Sequence, residues 1–124
     1  MSALSIVKHI YNLLANKEEL TAQVGKNIYP LVAEESATFP FVIIKRNSVS
    51  PIYHKMGNAQ DVATFSIGIV TTSYIQSVEL AEIVRNILEN YKIAPIQYIR
   101  LQDVAENYID DAYVQELNFE CYMS

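Results

Sequence analysis

Few side chains in this sequence are of a type that does chemistry: His9, His54, Cys121 and the acidic residues Asp103, Glu106, Asp110 and Asp111. A metal centre or an activated nucleophile needs imidazole, thiolate and carboxylate groups at spacings that bring them together. Neither histidine has such neighbours, so His9 reads as solvated on the polar side of a helix and His54 as solvated at a loop tip. The acidic residues lack the alternate spacing and the turn glycine of a calcium loop. They read instead as a solvated acidic turn that keeps a sheet edge from pairing with other chains. With glycines only at positions 25, 57 and 68, neither a phosphate-cradling loop nor a Gly-x-Ser-x-Gly elbow can form. Cys121, the only cysteine, permits no intrachain disulfide and reads as a buried small hydrophobe. The expectation is a protein without catalytic, metal or cofactor residues.

At 124 residues, 51% hydrophobic and 19% charged, the chain has the size and composition of one globular domain with one core. A formal charge of −5, with only 9 unclustered Lys and Arg, argues against a nucleic-acid-binding surface. Residues 1–15 lack the plan of a secretory signal, and no apolar run reaches the ~20 residues of a membrane span. A soluble protein made in a cytoplasm, with no membrane partner, is expected. The 9 tyrosines, with no tryptophan, are a high count, and tyrosine suits subunit interfaces because its ring is apolar and its tip wet.

The elements follow from periodicity. Leu4, Val7, Tyr11 and Leu14, flanked by Ile6, Ile10 and Leu13, predict an amphipathic helix capped by Ser2, with Ser5, Lys8, His9, Asn12 and Asn16 opposite. Asn16 and Glu19 predict a capping box for a second helix over 17–24, ended by Gly25. Residues 28–30 form a short extended piece stopped by Pro30, and 31–38 a loop. A strand over 40–49 is apolar on both faces at its start, where Phe41, Val42, Ile43 and Ile44 stand in succession. A connection over 50–60, with its tip at 53–58, leads to a strand over 61–72 whose Phe65, Ile67 and Ile69 share a face. Ser73 and Gln76 cap a helix over 74–91 with the stripe Leu80, Val84, Ile87, Leu88 and Tyr91. Strands over 96–104 and 112–122 close the chain, joined by 105–111. The order α-α-β-β-α-β-β predicts an α+β domain, a four-stranded mainly antiparallel sheet with helices packed on one face.

Three segments carry a family resemblance: Val24-Gly25-Lys26-Asn27-Ile28-Tyr29-Pro30, Phe39-Pro40-Phe41-Val42-Ile43-Ile44-Lys45-Arg46, and the helix type Glu79-Leu80-Ala81-Glu82-Ile83-Val84-Arg85. In this order, behind an N-terminal helix, they resemble the tail-completion (head–tail joining) protein family of long-tailed bacteriophages and prophages, over nearly the whole chain. The resemblance implies a non-enzymatic virion protein made in the bacterial host, a homo-oligomeric ring, a hexamer, at the top of the tail. It implies tail-tube protein below, a head-completion protein above, and DNA passing through without specific binding. The acidic balance suits such a channel, since like charge repels phosphate. Contacts are then expected from an exposed arm (Tyr29, Leu31, Val32, Glu34, Glu35 and Phe39), from the hairpin tip (Tyr53, His54 and Met56), and from Tyr122. The alternatives are a protein–protein interaction module outside phages with the same small α+β fold, and a small enzyme. The second would need a pocket of converging polar groups that the sequence does not indicate.

Overall fold

The structure, a computed structural model, describes residues 2–53, 57, 59–89 and 91–124. A 3-10 turn, Ala3–Ser5, leads into helix α1, Ile6–Ala15, and helix α2, Glu18–Val24. Strand β1, Ile28–Pro30, is followed by β2, Phe41–Tyr53, and β3, Ala59–Thr71; then come α3, Tyr74–Leu88, β4, Ile96–Ile109, and β5, Ala112–Met123. The strands form one sheet in the order β1-β2-β3-β5-β4, with β1 parallel to β2 and every other pair antiparallel. The α+β class holds, but the sheet has five strands, not four. Residues 28–30 pair in register with Val42, Ile43 and Ile44, and Pro30 is tolerated because β1 is the edge, where a missing N–H breaks no inner ladder.

All three helices lie on one face. From the sheet, Val42, Ile44, Phe65, Ile67, Ile69, Leu117, Phe119 and Cys121 are buried against Ile6, Ile10, Leu14, Leu20, Val24, Leu80, Val84 and Leu88. Phe65 and Phe119 are direct cross-strand partners and stack at 5.3 Å. Each such side chain contributes roughly 1.5–3 kcal/mol by leaving water, which is what holds helices with weak caps in place.

Those caps differ from expectation. Ser2 makes no side-chain cap; Ser5 Oγ instead donates to the Ser2 carbonyl at 2.9 Å. Asn16 Nδ2 donates back to the Asn12 carbonyl at 2.7 Å, so no capping box forms and Lys17 starts α2 without a side-chain bond. Leu4, expected in the apolar stripe, is 67% exposed while Ala3 is buried, because the tighter 3-10 turn rotates residues out of the α-helical phase. Gly25 (φ 60, ψ −128) does end α2, in a conformation closed to L side chains. Ser73 caps α3 through Gln76 N, at 3.4 Å, and α3 stops at Leu88, one turn earlier than the apolar pattern implied.

Both hairpins are longer than expected. β2 and β3 pair from Phe41–Val70 out to Tyr53–Ala59, so the connection is 54–58 rather than 50–60. β4 and β5 pair out to Ile109–Ala112, and the expected 105–111 link shrinks to Asp110 and Asp111 (φ 51 and 62), a two-residue turn with the positive φ pair of type I′. Asp103 and Glu106 therefore belong to a strand rather than to an acidic turn.

Candidate protein–protein interface

β1 and β2 run parallel, so residues 31–40 must carry the chain back along the sheet edge before β2 can begin. This return is the expected arm, and it is tied at both ends. Leu31 N donates to the Ile44 carbonyl at 2.8 Å, and Asn27 Nδ2 donates to the Thr38 carbonyl and hydroxyl, both at 3.2 Å. Between the ties, Val32 N donates to the Pro30 carbonyl at 2.8 Å around Leu31, whose φ of 68 makes this the positive-φ γ-turn, a rare and strained geometry for leucine. Its consequence is outward display: Leu31 and Val32 are 62% and 69% exposed, and Glu34 and Glu35 beyond them are exposed as well.

The other side of the arm joins the uncovered face of the sheet. Phe39, 47% exposed, stacks on Phe41 at 5.5 Å, and Tyr29 meets Phe41 edge-on at 6.2 Å. Phe41 pairs with Val70 and Val70 with Val114, while Ile43 pairs with Gly68; alternation puts all of these on the face away from the helices. Each is only half-buried. A Cβ at Gly68 would meet Ile43 Cβ at 3.9 Å, ordinary contact, so the glycine leaves the flank of Ile43 open without being required by it. Farther along, this face turns polar: Ser48 and Thr64 share a hydroxyl bond at 2.6 Å, Asn118 Nδ2 donates to Asp103 at 2.6 Å, and Gln102 donates to Glu120 at 3.1 Å.

The structure gathers Tyr29, Leu31, Val32, Glu34, Glu35 and Phe39 at one end of β2 and leaves Tyr53, 76% exposed, at the other. Ten residues separate Ile43 from Tyr53, roughly 30 Å of strand. His54 and Met56 lie outside the described residues. Tyr122 joins neither group; it is half-buried and stacks on Tyr98 at 4.5 Å, with the Arg100 guanidinium 5.0 Å from the Tyr98 ring.

Three findings were not anticipated. His9 is part-buried rather than solvated: its ring lies 5.7 Å from that of Tyr91, Nε2 is buried without a hydrogen-bond partner, and burial pulls its pKa below 6.5. Gln115 is buried and polar, bonded to Ser77 and Glu106. Tyr74, Tyr108 and Tyr113 come together around Glu106 at the end of the β4–β5 hairpin, although the tyrosines singled out by sequence were others. Alternation alone could have paired Tyr108 with Tyr113 across the turn; Tyr74 could not have been placed there. Cys121 is buried, and burial pushes its thiol up to about 11. Among the described residues no group of three or more His, Cys, Asp or Glu could hold a metal ion, and no helix is long and apolar enough to cross a membrane.

The arrangement defines a class, a small α+β domain whose sheet is covered by helices on one face and carries an uncovered apolar end and a strained arm on the other. No family model matches the sequence. No curated protein matches it either. The fold is shared with solved structures. A chain in the virion of a native gene transfer agent (GTA) particle superposes with a TM-score of 0.79 at 19% identity, over 92% of this chain and 90% of that one. A second solved structure superposes with a TM-score of 0.64 at 10% identity, over 100% of this chain and 96% of that one.

Proposed function

We propose that this chain is a non-enzymatic structural protein of a phage-like virion, and within that class a tail-completion, head–tail joining subunit. The observation that carries the reading is the uncovered apolar end of the sheet with its attached arm: Tyr29, Phe39, Phe41, Ile43 and Val70 are partly exposed around a strained, outward-facing Leu31, as a surface awaiting another subunit. The fold shared with a chain of a gene transfer agent virion supports it, as does the resemblance of the Ile28-Tyr29-Pro30 and Phe39-Pro40-Phe41 segments to the tail-completion family. In this reading the arm of one subunit leans on the next around a ring, a hexamer, by head-to-tail contacts that close. Tail-tube protein lies below and a head-completion protein above. The chain's net charge of −5 favours DNA sliding through the ring rather than sticking to it. Acidic residues mapped to the outer rim of the assembled ring would sink that last point.

The test is genetic and structural. A phage or prophage deleted for this gene should yield unjoined heads and tails by electron microscopy, and complementation with Leu31→Ser/Val32→Ser, checked as folded by circular dichroism, should fail to restore virions. Normal particles from the deletion strain would overturn the reading.

A further inference from the structure

At the end of the β4–β5 hairpin, beyond the start of α3, a notch of about 270 Å³ is lined by Tyr74, Glu106, Asn107, Tyr108, Tyr113 and Gln115. Its aromatic walls meet at angles: the Tyr74 and Tyr113 rings lie 5.8 Å apart at 71°, the Tyr108 and Tyr113 rings 4.9 Å apart at 54°. Glu106 Oε2 is fixed there by two donors, Tyr74 Oη at 2.9 Å and Gln115 Nε2 at 3.1 Å. Gln115, only 5% exposed, is itself anchored to Ser77 Oγ at 3.3 Å. Tyr108 Oη donates to Asp111 at 3.4 Å, which steadies the third ring. The bond to Glu106, and then its charge, hold the Tyr74 hydroxyl in its protonated, donating form by raising its pKa.

This is a pre-oriented carboxylate in an aromatic frame, and among the described residues no cation is paired with it; the ion pair among those residues, Arg85 with Glu89, lies outside the notch. An anion would be repelled by it, and a wholly apolar group would cover the carboxylate without neutralising it. A planar cation satisfies every wall, stacking on tyrosine faces while its N–H groups reach the free carboxylate oxygen. The chain's own arginines are engaged elsewhere: Arg46 donates to the Leu4 carbonyl, Arg85 pairs with Glu89, and Arg100 lies over Tyr98.

We propose that this notch is a docking site for an arginine side chain presented by a different protein, with Glu106 accepting the guanidinium N–H groups and Tyr74, Tyr108 and Tyr113 framing it. The site belongs to the free chain and stands or falls independently of ring assembly.

The probe is N-acetyl-arginine amide, titrated into the full-length protein carrying ¹³C-labelled tyrosine and followed by NMR. Saturable shifts confined to Tyr74, Tyr108 and Tyr113, with Tyr29 and Tyr53 unmoved, are expected. The neutral isostere N-acetyl-citrulline amide should bind at least about tenfold more weakly, the usual scale of a lost charge-assisted hydrogen bond. Glu106→Gln should lose the arginine response by the same factor while keeping a native spectrum. No response to arginine, an equal response to citrulline, an equal response to N-acetyl-lysine amide, or an undiminished response in a folded Glu106→Gln protein would overturn the proposal. Should Glu106→Gln fail to fold, the citrulline and lysine arms on the unmodified protein still decide it.

Discussion

Strand β2 begins with four apolar residues in a row, and their fates divide by parity. Val42 and Ile44 point into the helices and are fully buried, whereas Phe41 and Ile43, one position away, sit half-exposed among Tyr29, Phe39, Val70 and Val114. The two faces are built from the same residue types on the same backbone. What differs is that, among the described residues, the helices cover one face and leave the other open. A half-polar face with an apolar end is a common surface; here that end is adjoined by a strained arm, and the two together are what the proposed subunit contact rests on.

The largest expected effect separates the faces directly. Phe65→Ala should cost about 3–5 kcal/mol, as a ring lost from a packed core does, while Phe41→Ala should cost under about 1 kcal/mol. Urea denaturation of the two variants checks this, and equal losses would mean that the open face is core in the free protein.

The next effect is chemical. Burial raises the Cys121 thiol from 9.0 to about 11, which cuts its thiolate at pH 8 by on the order of a hundredfold before access is counted. Ser50→Cys, on the open face of β2, should therefore react with an aromatic disulfide reagent at the rate of a free thiol while Cys121 stays silent until urea is added. Two fast thiols would show that the covered face is loosely packed.

Smaller still is the arm. Leu31→Gly should raise stability by up to about 1 kcal/mol, because glycine accepts the positive φ without strain, and Val32→Gly should bring no gain. A loss from Leu31→Gly on thermal denaturation would show that the leucine side chain is held by its own subunit rather than offered to a neighbour.

The smallest effect concerns His9, on the covered side. Burial lowers its folded pKa, so its contribution to stability is present above pH 6.5 and is lost as pH falls through the lowered value. His9→Phe should shrink the drop in melting temperature between pH 7 and pH 5. An unchanged drop would assign the acid sensitivity to other groups.

How much was legible depended on what holds each element. Strand β3 and helix α3 were readable close to their bounds because Phe65, Ile67 and Ile69, and Leu80, Val84 and Leu88, write their periods into the sequence. The outer parts of the hairpins were not. Ser50 looks like a loop residue, as do Asn107 and Tyr108, and they become strand through cross-strand pairing with Val62, Val114 and Tyr113. β1 was legible as a short extended piece but not as a strand of the sheet, because Pro30 cannot donate to a ladder; parallel pairing with β2 at the sheet edge makes it one. Leu4 lost its place to Ala3 through one turn of tighter helix. The arm was legible as exposed, since its loop lacks regular spacing, but the γ-turn at Leu31 was not. The tyrosine notch was out of reach, because α3, β4 and β5 each contribute to it.

The sequence by itself determined the α+β class, the single set of apolar residues large enough for one core, and the lack of spacings on which metal or phosphate chemistry could be argued. Those are properties of composition and of short-range period, which the chain carries wherever it folds. Only the tertiary structure decided which side of Phe41-Val42-Ile43-Ile44 would be sealed, where the arm would be clamped, and that Glu106 would stand among three tyrosines. Each of these rests on contacts between residues far apart in the chain, and local pattern does not encode which distant partner a face will meet.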